Sequence, residues 1–250
     1  MQTGCASVCT QMRGWSCCAR RLLFAILGLL VAACGLHGQN AGSSLLSIRL
    51  EQKKGDTVQA VPQNNVFRNG EILRFRLTSQ INGYLYVVDR GTTGNSAVLF
   101  PAVGAAGGNR IEIGHSYLVP ADGDGWFEVG GPTGFDTLYF LVSATPIALP
   151  SAPSTNQDNE PARPNAAPLP PNLLPRCDDA IFKARGECLD VSAGVAPLAP
   201  NAPMPRELVP MAGAASRDIV LTDDNGDTAV QSAPTARLPI IYTFRLAHRE

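Results

Sequence analysis

An alternation of apolar and polar residues between positions 72 and 79 places the strongest constraint on how this chain folds. Leu73, Phe75 and Leu77 alternate there with Arg74, Arg76 and Thr78. Successive side chains of a β-strand point to opposite faces, so this pattern puts the apolar residues on one face and the polar residues on the other. The segment is therefore predicted to be a half-buried strand, with one face in a core and one face in water.

Two later segments are continuous runs of aromatic and aliphatic residues next to glycine or other turn residues. They are residues 84–88 (YLYVV) and residues 138–142 (LYFLV). Runs of this length and composition are typical of strands that are buried on both faces. Further strands are expected at 46–51, 98–100, 217–221 and 240–246. Together these segments predict an all-β fold, a β-sandwich-like (Ig-like) domain.

The charge of the chain is nearly balanced. It has 20 Lys and Arg against 21 Asp and Glu, which gives a formal net charge of −1. Proteins that bind nucleic acid or an anionic membrane surface usually carry a basic footprint. We therefore expect no nucleic acid partner and no electrostatic attachment to a membrane.

The N-terminal residues predict an export signal. Arg20 and Arg21 precede an uncharged apolar run at 22–33, which is too short to span a bilayer comfortably. The run ends in VAAC at 31–34, which resembles the lipobox of bacterial lipoproteins, where a signal peptidase cuts before a diacylated cysteine. The resemblance implies a lipoprotein-type signal peptide at 1–33, lipidation of Cys34, and an acylated Cys and tether at 34–44. A plain secretory signal or an uncleaved anchor is the alternative, and a start at Met12 also fits.

The residue after Cys34 bears on location. Gly35 is not the Asp that often retains such lipoproteins at the inner membrane. The lipoprotein resemblance therefore implies the bacterial cell envelope, with the protein as an outer-membrane lipoprotein facing the periplasm or the cell surface. The expected partners are the membrane, through the lipid anchor, and an envelope protein.

Two cysteines remain beyond Cys34, and they predict a disulfide. An even number of cysteines in an oxidising compartment typically pairs, which here joins Cys177 to Cys188. A structural zinc site is the alternative, but such a site needs four ligands and no His lies near these two residues.

A proline-rich segment interrupts the strand-forming parts of the chain. Residues 146–210 contain 14 of the 20 prolines, and such a composition offers too little apolar area to offset chain entropy. We expect mostly a surface loop, with one short helix where Asp178 and Asp179 suit a first turn and Gly186 a helix end. The predicted domain spans 45–250, with core blocks at 45–148 and 216–250 and the insertion at 149–215.

No group of residues in the sequence predicts catalysis. His37, His115 and His248 are scattered, and neither a G-x-S-x-G nor an H-E-x-x-H motif is present. We therefore predict no catalytic residues and no cofactor.

One acidic cluster has the spacing of a calcium loop. Asp223, Asn225 and Asp227 place oxygen atoms at alternating positions. The loop pattern is incomplete, because Thr228 stands where glycine is required and Pro234 stands where the terminal Glu belongs. The three residues are weak metal candidates, and a solvated turn is the favoured interpretation.

Several short motifs, taken in order along the chain, resemble a known family. They are NGE at 69–71, GYLYVVD at 83–89, LFP at 99–101, NRI at 109–111, VP at 119–120, PTG at 132–134, RDIV at 217–220 and YTFRLAH at 242–248. In this order they resemble the bacterial family called domain of unknown function 4384 (DUF4384). The likeness spans 45–148 and 216–248, and the long insertion departs from it. It implies a compact β fold of accessory or sensing modules with no assigned chemistry.

The expected function is an envelope-anchored, non-catalytic binding, scaffolding or sensing module of the DUF4384 type. One alternative is a hydrolase that acts on envelope polymers, which a pocket with convergent polar groups near His115 would favour. The other is a calcium-dependent adhesion module, which a bound ion at 223–227 would favour.

Overall fold

Two β-sheets face each other in the part of the chain that the structure describes. In this computed structural model the described residues are 44–102, 108–121, 124–149, 174–211, 213–224, 227–233 and 236–250. The strands are β1 (Ser44–Lys54), β2 (Thr57–Val61), β3 (Val66–Arg68), β4 (Ile72–Ser79), β5 (Gly83–Arg90), β6 (Ser96–Phe100), β7 (Arg110–Ile111), β8 (Ser116–Val119), β9 (Phe127–Glu128), β10 (Gly134–Ser143), β11 (Gly194–Pro197), β12 (Ile219–Asp224), β13 (Asp227–Ser232) and β14 (Ile240–Arg249). The prediction of an all-β, sandwich-like domain is confirmed.

Each sheet combines strands from before and after the insertion. The first sheet has the order β12-β13-β1-β4-β8, with β2 also paired to β1 and β9 to β4. The second sheet has the order β11-β14-β10-β5-β6, with β3 also paired to β14 and β7 to β5. All of these pairs are antiparallel except that of β3 and β14, which is parallel. Strands that are distant in sequence are thus direct neighbours, as is common in β-sandwiches.

The main core lies between the two sheets. On β4, Leu73, Phe75 and Leu77 are fully buried, as the alternation predicts. Phe75 crosses to the second sheet, where its ring meets that of Phe244 edge-on with centroids 4.8 Å apart. Such perpendicular aromatic pairs stabilise a core beyond the area that they bury. The contact fixes the first sheet against β14 of the second.

A second apolar cluster covers the outer face of the second sheet. Its buried members on the sheet include Tyr86 of β5, Tyr139 and Leu141 of β10, and Ile241 of β14. Two leucines of the insertion, Leu198 and Leu208, pack against them and are also buried. The predicted burial of 84–88 and 138–142 on both faces is confirmed, and the insertion supplies the cover on one side.

The described part of the insertion therefore differs from the expected surface loop. It adds β11 to the edge of the second sheet through pairing with β14. The hydroxyl of Tyr139 also donates a hydrogen bond to the carbonyl of Pro203. The physical reason is that the second sheet is apolar on its outer face, so a few well-placed leucines gain much burial there despite the surrounding prolines.

The short helix of the insertion lies where the sequence predicts it. Helix α1 (Asp179–Arg185) begins after Asp178, whose side chain accepts hydrogen bonds from the backbone N–H groups of the first turn. It ends at Gly186, which has the left-handed backbone conformation of a helix C-cap. Cys177 and Cys188, on either side of the helix, are joined as a disulfide. Cys188 packs against Val66 and Ala247, which attaches the disulfide-closed segment 177–188 to the second sheet.

The signal peptide, Cys34 and most of the tether predicted from the sequence lie outside the described residues. Within the described ranges, no helix has the length and hydrophobicity needed to cross a membrane.

Candidate functional site

The inward face of the second sheet becomes polar at one end of the sandwich. On β5 the inward positions run Leu85, Val87, Asp89, and on β10 and β14 the same face ends at Asp136 and His248. The register places Asp89 opposite Leu138, Asp136 opposite Leu246, and His248 opposite Gly134. Three polar side chains on three adjacent strands thus lie along one diagonal at the edge of the core.

Asp89 carries the most perturbed carboxyl group of this cluster. Its Oδ1 atom is buried and has no hydrogen-bond partner within the described ranges. Burial raises the pKa of Asp89 to about 7, and the negative charge of Asp136 acts in the same direction, against the smaller lowering effects of a backbone hydrogen bond from Arg90 and of His248. Near neutral pH, the protonated and ionised forms of the Asp89 carboxyl group are therefore both populated.

Asp136 connects the strand cluster to a loop. Its Oδ1 atom accepts a hydrogen bond of 2.9 Å from the backbone N–H of Thr92, in the β5–β6 connection. The same oxygen lies 3.4 Å from Nε2 of His248. Asp136 thereby holds the β5–β6 loop over the end of the sheet, next to the His248 ring.

The ring of His248 is fully buried and makes no hydrogen bond to the described part of the chain. Its exposed fraction is 0%, and neither Nδ1 nor Nε2 has a hydrogen-bond partner among the described residues. Buried polar groups in folded proteins are usually hydrogen-bonded, and exceptions tend to mark functional positions or sites for a further group. The His248 ring and Asp89 Oδ1 therefore leave unused hydrogen-bonding capacity on both sides of Asp136.

A cavity of about 360 Å³ opens beside this cluster, between the ends of the two sheets. Its apolar wall includes Leu99, Phe127, Leu138 and Leu246, and the loops 91–93 and 130–131 form part of its rim. Its carboxylate residues are Asp89, Glu128 and Asp136, and none of the described lining residues is Lys or Arg. An apolar cavity of this size with a few fixed polar groups is the usual form of a small-ligand site.

Gly131 allows two loops at the rim of the cavity to approach each other closely. Gly131 has a positive φ of 102°, and a Cβ atom built on it would lie 3.3 Å from the Thr92 hydroxyl oxygen. Glycine tolerates both the conformation and the close approach. The β9–β10 and β5–β6 loops can therefore come close together above the cavity.

Comparison with protein families gives one match. Residues 66–146 match the family model described as Domain of unknown function (DUF4384). This segment of the chain is similar to DUF4384. No curated protein and no solved structure matched the chain in the corresponding searches. The resemblance inferred from the sequence motifs is thus supported for β3 to β10.

The DUF4384 match contains most of the cavity wall. Asp89 and Asp136, and both loops of the rim, lie within residues 66–146, whereas His248 and Leu246 lie on β14 outside it. The site is completed by the strand that follows the insertion, through the pairing of β10 with β14.

The weak metal candidates lie elsewhere, on the hairpin of β12 and β13. The carboxylate of Asp227 accepts hydrogen bonds of 2.7 Å and 3.0 Å from the guanidinium group of Arg49. Both carboxylate oxygens of Asp227 therefore accept a charge-assisted hydrogen bond from Arg49. Asp223 lies on β12, and Asn225 falls outside the described residues. In the described ranges, no group of three or more His, Cys, Asp or Glu side chains is placed to hold a metal ion.

A cluster of polar side chains lies around His248 in the described part of the chain, whereas the hydrolase alternative expected such a cluster near His115. His115 lies between β7 and β8, and its side chain is 67% exposed and 4.0 Å from Glu112. It is not among the described residues that line the cavity. His37 lies outside the described residues.

Asp89 and Asp136 were not identified from the sequence as site residues. A signal for them is present, because Asp89 continues the spacing of Leu85 and Val87, and Asp136 precedes Leu138 by two residues. A polar residue in phase with core positions at a strand end points into the sandwich. Their convergence depends on strand register, which the sequence does not state.

Proposed function

We propose that this protein is an envelope-anchored, non-catalytic binding module of the DUF4384 type. The observation that carries the proposal is the cavity between the sheet ends, where an apolar wall meets the Asp89 carboxyl group, whose buried Oδ1 atom has no hydrogen-bond partner among the described residues. Leaving such a group unpaired in the folded protein costs stability, so its presence beside a cavity favours a role in holding a ligand.

The surroundings of His248 support binding over triad-type hydrolysis. A hydrolase of that type needs a hydroxyl or thiol nucleophile hydrogen-bonded to the ring of its catalytic histidine. Neither ring nitrogen of His248 makes such a bond to any described residue. The cluster therefore offers groups that position a ligand and lacks a paired nucleophile and base.

The anchoring part of the proposal is tested by Cys34→Ala. Each buried methylene of an acyl chain contributes about 0.8 kcal/mol, so a multiply acylated cysteine holds a protein on a membrane without any apolar helix. We expect the wild-type protein in the membrane fraction and Cys34→Ala in the soluble fraction or retained as the uncleaved precursor. The measurements are cell fractionation and the intact mass of the mature protein.

The control for the anchor is Cys18→Ala, which changes a cysteine within the predicted signal peptide. It should leave the mass of the mature protein and its fractionation unchanged. Membrane attachment of Cys34→Ala with an unaltered mature mass would contradict lipid anchoring.

The binding part of the proposal is tested by photo-crosslinking in cells. A photoreactive amino acid replaces Thr93, which is exposed at the rim of the cavity, and adducts are identified by mass spectrometry. The control position is Val58, which is 47% exposed on β2 of the other sheet. We expect a discrete adduct from position 93 and none of that mass from position 58. Equal labelling at both positions, or no adduct from position 93, would count against a binding role for the cavity.

A further inference from the structure

We propose that the cavity binds an organic cation, a ligand with an ammonium or guanidinium group on an apolar body. This inference rests on the proposed binding function and specifies the chemical class of the ligand. It follows from the charges of the cavity wall, from the unpaired polar atoms beside it, and from an aromatic residue of the wall.

The wall of the cavity has one sign of charge. Asp89 and Asp136 contribute carboxyl groups from two adjacent strands on the inward face of the second sheet, and no described lining residue is basic. Opposite charges in a partly desolvated site attract more strongly than in water, whereas an anion would meet like charge there. The electrostatics of the wall therefore favour a positively charged ligand.

The unpaired buried groups are the second, independent observation. Asp89 lines the cavity, and its buried Oδ1 atom accepts no hydrogen bond from the described part of the chain. His248 is wholly buried on strand β14; neither ring nitrogen makes a hydrogen bond to a described residue, and Nε2 lies 3.4 Å from Asp136 Oδ1. An ammonium or guanidinium group donates hydrogen bonds and accepts none, so it is complementary to an acceptor such as Asp89 Oδ1. Charge-assisted bonds of this kind are the stronger class of hydrogen bond.

The geometry favours an organic cation over a metal ion. A divalent metal needs several oxygen or nitrogen ligands within one coordination sphere, and the described Asp, Glu, His and Cys side chains form no such group. An ammonium or guanidinium group needs only one or two acceptors. Phe127 in the wall adds an aromatic ring; one of its faces stacks on Phe75, with ring centroids 5.9 Å apart, and the face of such a ring attracts organic cations. The leucines of the wall would then contact the apolar body of the ligand.

Three small probes of matched shape test the inference: benzylamine, benzyl alcohol and benzoate. The full-length protein is purified in neutral detergent, and each probe is titrated while the amide resonances of Thr92 and Gly131 are followed by NMR. The pH is held at about 8, so that Asp89, whose pKa is raised to about 7, is mainly ionised. We expect benzylamine to shift these resonances with an affinity at least about tenfold higher than benzyl alcohol, and benzoate to cause no shift.

Two variants and one control locate the effect. Asp89→Asn and Asp136→Asn should each weaken benzylamine binding by about tenfold, towards the affinity of benzyl alcohol. Asp56→Asn removes a carboxylate from the exposed turn between β1 and β2 and should leave benzylamine binding unchanged. Loss of binding in all three variants would indicate a general charge effect and would overturn the assignment to the cavity.

The remaining outcomes separate this inference from the proposed function. Binding of benzyl alcohol or benzoate as tight as that of benzylamine, or binding of no probe, would overturn the cation assignment. Displacement of benzylamine by calcium chloride at matched ionic strength would overturn it in favour of a metal ion. An adduct from position 93 together with any of these results leaves a binding module with a different ligand class, whereas the absence of that adduct refutes the function itself.

Discussion

Leu208→Ala is expected to lower the free energy of unfolding by about 2 to 5 kcal/mol, the range for a buried leucine truncated in a packed core. Leu208 belongs to the insertion, yet it is fully buried against Tyr86, Tyr139 and Leu141 on the outer face of the second sheet. Truncation removes apolar contacts and leaves a cavity over these strands. Urea denaturation followed by tryptophan fluorescence and circular dichroism measures the change.

The neighbouring residue provides a matched control. Val209 is 56% exposed, so Val209→Ala should change the free energy of unfolding by no more than about 0.5 kcal/mol. An equally small effect of Leu208→Ala would mean that the insertion is a surface loop that contributes little to the fold, as its composition suggests.

The packing around Leu208 shows that the proline-rich composition of the insertion does not predict its role in the core. Burial of the runs 84–88 and 138–142 on both faces was predictable, because each is apolar at odd and even positions alike. The residues that cover the outer face were not predictable, because Leu198 and Leu208 lie in a proline-rich segment that has neither a helical nor a strand period. Two side chains can provide such cover when the partner surface is preformed.

Local signals predicted local structure well. The alternation in β4 and the capping of α1 each depend only on residues a few positions apart, so both can be read directly from the sequence. The pairing of β14 with β10, β11 and β3 depends instead on the relative stability of many long-range arrangements. Strand content was therefore predictable, whereas sheet order and register were not.

The candidate site depends on those long-range features. Asp89, Asp136 and His248 come together only when β5, β10 and β14 are adjacent in one register. In the sequence, each is a polar residue near the end of a strand, which is usually the start of a solvated turn. The three-strand register determines that they face the core and not water.

Asp89→Asn is expected to raise the free energy of unfolding at about pH 8 and to have a much smaller effect at about pH 4. The ordinary pKa of the Asp89 carboxyl group is 3.8, and burial raises it to about 7 in the folded protein. Between these values the folded state holds a proton that the unfolded chain has released. The stability that comes from the protonated carboxyl is complete below about pH 4 and is lost as the pH rises through about 7.

The two pKa values of Asp89 set the size of this effect at about 4 kcal/mol at most, since one pKa unit corresponds to about 1.36 kcal/mol. An amide at position 89 does not titrate, so the stability difference between the variant and the wild type should grow as the pH rises and level off above about 7. Urea denaturation of both proteins across this pH range measures it. Glu51 and Asp190, whose pKa values are lowered, lose their stabilising ionised form in acid, but they do so in both proteins and cancel in the difference.

Two further variants make the Asp89 measurement specific. Asp136→Asn removes the neighbouring negative charge that helps to raise the pKa of Asp89, so it should shift the pH dependence to lower pH. Asp56→Asn changes an exposed carboxylate and should leave the pH profile of the wild type unaltered. A stability difference between Asp89→Asn and the wild type that stays constant from about pH 4 to about pH 8 would show that Asp89 is ionised in the folded protein throughout. The charge of the carboxyl group would then be stabilised in the folded protein as well as it is in the unfolded chain, and the argument for an unpaired, desolvated acceptor in the cavity would fail.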